Sequence, residues 1–307
     1  MLNPQFKPHP RCRQLKLNHL CFADDLMFFC KGDLFSIKLL CHTLEGFAQT
    51  YGLCPNLAKS AIYLAGVPLE VRSHFAQEVQ LPLGSLPFRY LGIPLTAKKI
   101  SAADCEALVD KMTARIRVWY ATNLSYTTRL QLITSVLMGI TSYWCQLFIL
   151  PKVVIKRVNA ICRSYLWFGV HNNDTAGKVN WNHVCRPKNV GGLGFRNLEV
   201  WNSAAVGKIA WHISSLQESL WVRWVHGIYT KGATWAIFKH PPTASWALRK
   251  LCGIKHKLGR FMSLTTYNIQ VTYKDCLDLG QLVHWDKWVW HRPVSYTHLT
   301  LPTKRIV

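Results

Sequence analysis

A chain of 307 residues, half of them hydrophobic, is long enough to bury one large core or two smaller ones. Thirteen Trp and thirteen Phe exclude a disordered chain, because that much apolar area offsets the entropy of ordering. With 37 Lys and Arg against 15 Asp and Glu, the formal charge of +22 points to a polyanionic partner, either nucleic acid or an anionic membrane surface.

Residues 1–20 carry Lys7, Arg11, Arg13 and Lys16 and no apolar run, so no signal peptide is expected. The 11 cysteines lie singly, many of them in apolar stretches, with no Cys-x-x-Cys pair, which fits reduced thiols in an intracellular setting. Residues 17–31 read as strand, turn, strand, with aromatic and aliphatic residues flanking Asp24-Asp25. A helix is expected over 34–51, where Leu34, Ile37, Leu40, Cys41, Leu44, Phe47 and Tyr51 recur at helical spacing before Gly52. A turn-rich patch at Pro55, Asn56, Lys59 and Ser60 precedes a short apolar run, 61–67. Pro82, Gly84 and Pro87 then mark a loop, and 88–95 reads as a short β-element with a turn.

From Ser101 the pattern becomes helical. Ser101-Ala102-Ala103-Asp104 is a capping-box start, and Cys105, Leu108, Val109, Met112, Ile116 and Trp119 form one face. Ser125 opens a second helix whose part 130–151 carries no charge and approaches the length of a membrane span. Its polar residues fall on one stripe (Gln131, Thr134, Ser135, Thr141, Ser142, Gln146). Ile133, Val136, Leu137, Ile140, Tyr143, Trp144 and Leu147 fall on the other. That pattern predicts a core helix of a bundle and no stable membrane insertion. Pro151 starts a third helix, with Val154, Val158, Ile161 and Tyr165 leading to Gly169. The bundle over 97–170 is basic, with ten Lys and Arg against three Asp and Glu. A loop follows over 171–197. Its run Gly191-Gly192-Leu193-Gly194 lacks the Lys-Ser/Thr of a phosphate-cradling loop and reads as a tight turn. Residues 201–229 read as Trp-rich helices. Beyond Lys231 the periodicity is too weak to place elements, and 295–307 reads as a non-native tail.

Two adjacent carboxylates at the tip of an apolar hairpin repel unless a cation neutralises them. Mg²⁺ suits such a pair, since it takes one or two carboxylates together with substrate phosphates, as in two-metal phosphoryl transfer. An Asp pair serving only the turn is the other reading. Five motifs extend the argument: Phe22-Ala23-Asp24-Asp25 after His19-Leu20-Cys21; Gly52-Leu53-Cys54-Pro55-Asn56-Leu57-Ala58-Lys59-Ser60; Arg89-Tyr90-Leu91-Gly92-Ile93-Pro94-Leu95; the basic bundle; and Pro187-Lys188 with Gly191-Gly192-Leu193-Gly194-Phe195. In this order, over roughly 19–246, the chain resembles reverse transcriptases of the LINE (non-LTR retrotransposon) type, plant members in particular.

The resemblance implies an α+β chain. Residues 1–96 would be part of a polymerase palm, a β-hairpin plus helix. Residues 97–170 would be a mainly helical thumb, and 171–294 a Trp-rich helical extension leading toward a zinc-binding region that is missing here. Asp24 would be the catalytic Mg²⁺ ligand, Asp25 its weaker neighbour, and Lys59 the cation that meets the leaving pyrophosphate. Tyr90, Leu91 and Gly92 would grip the primer end. Lys111, Arg115, Arg129, Lys152, Lys156 and Arg163 would meet phosphates without reading sequence. The parent activity would be RNA-directed DNA synthesis, a nucleotidyl transfer on an RNA template with a DNA primer, acting in the nucleus. Two departures stand out. No Asp or Glu precedes Asp24, so the further catalytic carboxylate, the fingers and the endonuclease of the family are not expected here. For zinc, Cys252 and His256 stand four apart without a second pair. The expectation is a fragment that needs the rest of a polymerase chain and does not polymerise alone. A non-catalytic basic nucleic-acid-binding protein is the alternative, and a membrane-surface protein a third.

Overall fold

The computed structural model describes residues 3–96, 98–120, 124–170, 177, 179–277, 281–285 and 289, and the tail 295–307 lies outside them. The chain folds into two compact units, Met1–Ala97 with Leu216–Phe238, and Lys98–Ser215 with Lys239–Val307. Helix and sheet are mixed, and the strands form two small antiparallel hairpins.

In the first unit, β1 (His19–Phe22) pairs with β2 (Asp25–Phe28), with Phe22 opposite Asp25, so Ala23 and Asp24 alone make the turn. The preceding segment folds back beside the hairpin: Pro8 bridges Cys30, and the Lys31 N–H donates to the Lys7 carbonyl at 2.9 Å. Helix α1 (Leu34–Tyr51) has the span its periodicity predicts. Asp33 caps it, accepting from the Ser36 N–H at 3.1 Å, and Gly52 ends it at φ 71°. Its apolar stripe is only partly covered. Ile37 is buried, whereas Phe47 and Tyr51 are exposed and stack on each other at 4.7 Å. Helix α2 (Leu69–Val79) has too few apolar residues at helical spacing to show in the sequence. It packs on α1 and is tied to it by Lys38 Nζ and Glu78 Oε2 at 2.6 Å. Strands β3 (Phe88–Tyr90) and β4 (Ile93–Leu95) form the second hairpin, turning at Leu91-Gly92.

The second unit opens with the predicted capping box. The Ser101 N–H donates to Asp104 Oδ2 at 2.7 Å, and the Asp104 N–H donates back to Ser101 Oγ at 3.2 Å. Helix α3 (Glu106–Tyr120) follows, with Cys105, Leu108, Val109, Met112 and Ile116 buried as its spacing predicts. The uncharged helix runs as α4 (Tyr126–Leu132), a π turn (Ile133–Leu137) and α5 (Met138–Leu147). The two-stripe reading of this helix fails beyond the π turn. Thr141 and Ser142 are buried, while Tyr143 and Leu147 are 45% and 43% exposed. A π turn adds about one residue to the helix and rotates everything after it by roughly 100°. The core face therefore passes from Leu137 to Met138, Thr141 and Cys145. The two hydroxyls find partners there: Thr141 Oγ1 donates to the Leu137 carbonyl at 2.9 Å, and Ser142 Oγ accepts from Arg196 Nη1 at 2.8 Å. Among the described residues, no helix is long and apolar enough to cross a membrane.

Helix α6 (Lys152–Phe168) starts after Pro151 and ends at Gly169 in the left-handed region, φ 77°. Arg157 on α6 pairs with Glu106 on α3 at 2.5 Å. A short α7 (Trp181–Val184) leads into the glycine run, which makes the predicted tight turn with Gly191 and Gly194 at positive φ. Helix α8 (Leu198–Ser214) buries residues on every side, from Leu198 and Trp201 through Ala204, Ala205 and Val206 to Trp211 and Ile213. An all-round apolar helix is the centre of a core.

The chain then joins the first unit as α9 (Leu220–Val225) and a π turn, His226–Thr230. It returns to the second as α10 (Trp246–Lys257), α11 (Gly259–Met262) and α12 (Ile269–Cys276), which the sequence pattern left unplaced. These pack on α8. Gly207 makes their approach possible, since a Cβ there would stand 2.5 Å from Tyr267 Oη and 2.6 Å from Leu258 Cδ1. The Tyr267 hydroxyl donates to the Ala204 carbonyl at 2.8 Å, and burial pushes its pKa up to about 12.

Asn202, 4% exposed, joins α8 to the end of α5. Its Nδ2 donates to the carbonyls of Cys145 and Phe148 at 2.8 and 2.6 Å, and its Oδ1 accepts from the Leu150 N–H at 2.9 Å. Asn202→Ala strands these backbone groups, each a penalty of about 1–3 kcal/mol when buried. A loss on the order of 3 kcal/mol is expected in urea unfolding, and a loss within experimental error would show that α5 and α8 hold together without it.

Candidate functional site

The residues singled out in the first unit all stand on turns. At the β1–β2 tip, Ala23 lies at φ 51° and Asp24 does not share the positive φ, the pattern of a type II′ turn that normally carries glycine first. An alanine there costs roughly 1 kcal/mol of backbone strain. Asp24 and Asp25 are both exposed, and among the described residues neither carboxylate takes part in a hydrogen bond or ion pair. Lys59, also exposed, closes a single 3₁₀ turn, Leu57–Lys59, whose cap Asn56 Oδ1 accepts the Lys59 N–H at 3.2 Å. No ion pair joins Lys59 to either carboxylate among the described residues. At the β3–β4 tip, Leu91 at φ 50° and Gly92 at φ 78° make a type I′ turn, with Tyr90 paired to Ile93 just beneath. Leu91 is 43% exposed.

Two carboxylates are a small donor set. Among the described residues, no group of three or more His, Cys, Asp or Glu could hold a metal ion. Mg²⁺ needs near-ideal octahedral oxygens and fills the places that carboxylates leave with phosphates and water. The donors present therefore do not by themselves make a metal site. On α10, Cys252 is buried and its thiol pKa is raised by that burial, while His256 is exposed, so the pair predicted to be too little for zinc stays apart in environment as well.

The basic residues of the second unit fall on two faces instead of one. At about 100° per residue, Lys111 and Arg115 lie roughly 140–180° around α3 from Glu106, the residue that faces α6. Both are exposed. Lys152, Lys156 and Arg163 lie within about 40° of one another on α6, well away from Arg157. Lys152 is engaged by Glu199 at 3.4 Å, and with Lys156 it lines a cleft of about 310 Å³ that also includes Asn159, Trp181 and Asn197. Arg163 is half-buried, and its Nε has no partner among the described residues. Arg129 has another use: its Nη1 donates to the Tyr165 carbonyl at 3.4 Å, in the last turn of α6, where a cation is favoured by the helix dipole. Arg157 and Arg196 escaped the sequence reading. Arg196, besides bonding Ser142, covers the Trp201 ring at 4.3 Å. No local pattern marks either, because both partners come from distant segments.

No protein-family model matches the chain. It is similar to a protein of Arabidopsis thaliana named as a putative ribonuclease H protein, at 27% identity over 158 residues, which is 50% of this chain and 26% of that protein. The likeness is distant and partial. The matched part spans about a quarter of the Arabidopsis protein's length.

The Leu91 turn yields a direct test. A type I′ turn wants Asn-Gly, and Leu at the first position carries the left-handed penalty with its side chain partly in solvent. Leu91→Asn should raise the unfolding free energy by about 0.5–1 kcal/mol in urea titration. A destabilised variant would mean that Leu91 packing outweighs the backbone strain.

Proposed function

We propose that the chain is a retroelement-derived protein, and more narrowly part of a LINE-type reverse transcriptase that needs further polymerase chain to act. The observation that carries this reading is the carboxylate pair Asp24-Asp25 on a two-residue hairpin turn, followed in order by α1, the Lys59 turn and the β3–β4 hairpin. The likeness to a ribonuclease H protein supports a retroelement origin. In this reading residues 1–96 belong to a palm and 97–170 to a thumb. Mg²⁺ enters only with a third carboxylate from elsewhere, which would complete its shell and let it neutralise phosphate charge. Lys59 would then face the leaving pyrophosphate, and Tyr90, Leu91 and Gly92 the primer end. RNA template, DNA primer and nuclear action all belong to the same reading.

Primer extension separates this from the alternatives. The chain alone should incorporate nothing above background on a primed RNA template with Mg²⁺ or Mn²⁺. Joined behind the fingers and first palm strands of a LINE-type polymerase, it should incorporate deoxynucleotides, and Asp24→Asn should abolish that activity. Undiminished incorporation by the chimaera carrying Asp24→Asn would remove Asp24 from the chemistry and the reading with it.

The basic faces offer a second check, and it also serves the reading as a non-catalytic nucleic-acid binder. Lys111 and Arg115 are exposed and free of acidic partners among the described residues, whereas Lys152 already has Glu199. The double variant Lys111→Ala, Arg115→Ala should flatten the plot of log K against log[salt] for a duplex by roughly two units, alike on unrelated sequences. The variant Lys152→Ala, Lys156→Ala should flatten it less. An unchanged slope for the first pair would take α3 out of any nucleic-acid interface.

A further inference from the structure

We propose that the first unit carries a surface for an unpaired nucleic-acid strand, built from the ring stack of Trp221, Trp224 and Tyr229 and the basic segment 11–16. Trp221 and Trp224 stand three apart on α9, hence on one face of the helix. Their rings stack at 5.5 Å and 21°, and Tyr229 meets Trp224 edge-on at 5.5 Å and 75°. Val222 and Val225 are 3% and 0% exposed, so they anchor α9 from its other side. Trp221, the outer ring of the stack, remains 38% exposed. A large aromatic ring held in a preformed stack and left in water is the kind of surface that marks a partner.

The chemistry beside the rings indicates which partner. The Trp224 indole N–H donates to the Arg11 carbonyl at 3.1 Å. Gln14 packs over Gly227, where a Cβ would come within 2.9 Å of Gln14 Oε1. These two contacts bring the segment with Arg11, Arg13 and Lys16 against α9, which adds Arg223, and all four cations are exposed. Residues 3–16 contain no acidic residue, and Glu218 is the acidic residue of 216–238. Aromatic rings that take bases on their faces, flanked by cations that follow the phosphates, are the two components of sequence-tolerant single-strand binding. A duplex keeps its base faces stacked and offers only phosphates. A lipid surface fits less well. Helix α9, Leu220–Val225, is short for an interfacial helix, and the indole N–H of Trp224 that a headgroup layer would engage is taken by Arg11.

This surface uses none of the residues assigned to nucleotide transfer, and its test reads binding alone, so it stands or falls apart from the polymerase reading. The whole chain is titrated with a fluorescent oligonucleotide of about a dozen nucleotides, and with a duplex of the same length. The single strand should bind in preference to the duplex and quench Trp emission. Trp221→Ala should weaken single-strand binding by about tenfold and leave the duplex unchanged, while Trp221→Phe keeps most of the affinity. Arg223→Gln should flatten the single-strand salt slope by about 0.7. Equal loss on single strand and duplex, or no loss in Trp221→Ala, would overturn the proposal. So would Trp221-dependent binding to phosphatidylserine vesicles without single-strand binding.

Discussion

The carboxamide of Asn202 sits in the middle of a helix that has no solvent face, and it takes up backbone groups where α5 ends and the chain turns toward α6. A buried amide is tolerable only when its donors and acceptors are used. Here its Oδ1 and Nδ2 are both used at once, on the carbonyls and N–H that a helix end leaves orphaned. The arrangement sets where α8 lies along the bundle. The rest of the second unit follows from that placement, because α10, α11 and α12 have little to pack on except α8. Gly207 and the Tyr267 hydroxyl then determine how near they come.

The first unit is built differently. Its core is thin, with Phe6, Ile37 and Phe75 buried near the hairpins and helices. Phe22, Leu26 and Phe28 of the first hairpin remain substantially exposed. An isolated two-stranded hairpin is marginal in water, and this one also holds Ala23 in a strained conformation at its tip. Strain persists only where the surroundings over-determine it, and it gathers at functional turns. Both hairpins show the same device, a non-glycine residue at positive φ next to the residues singled out for chemistry. That recurrence is a structural reason, independent of any resemblance, to regard the two tips as places where something binds.

Much was legible where the determinants are local. The span of α1, the capping box at Ser101, the stops at Gly52 and Gly169 and both hairpin turns follow from spacing and from a few residues with particular backbone preferences. The carboxylates and Lys59 were legible for the same reason, since each stands on a short turn whose sequence announces it. The reading went wrong where one inserted residue mattered. Nothing in 126–147 signals the π turn, and without it the stripe containing Thr141 and Ser142 was assigned to the wrong side. Helices α2, α10 and α12 were missed because their apolar positions are sparse and become meaningful only beside the helices they pack against.

By itself the sequence determined the local elements, the strong positive charge, and the turn that presents Asp24 and Asp25, because these depend on residues within a few positions of one another. Tertiary structure alone decided which cations remain available. Lys152, Arg157, Arg129 and Arg196 are spent on Glu199, Glu106, the end of α6 and Ser142, while Lys111 and Arg115 stay in solvent. It also decided that 11–16 should lie against Trp224, more than 200 positions away in the chain. A charge or a ring acquires its role from what stands across from it in space, and for these residues that neighbour comes from a distant segment, which spacing along the chain does not encode.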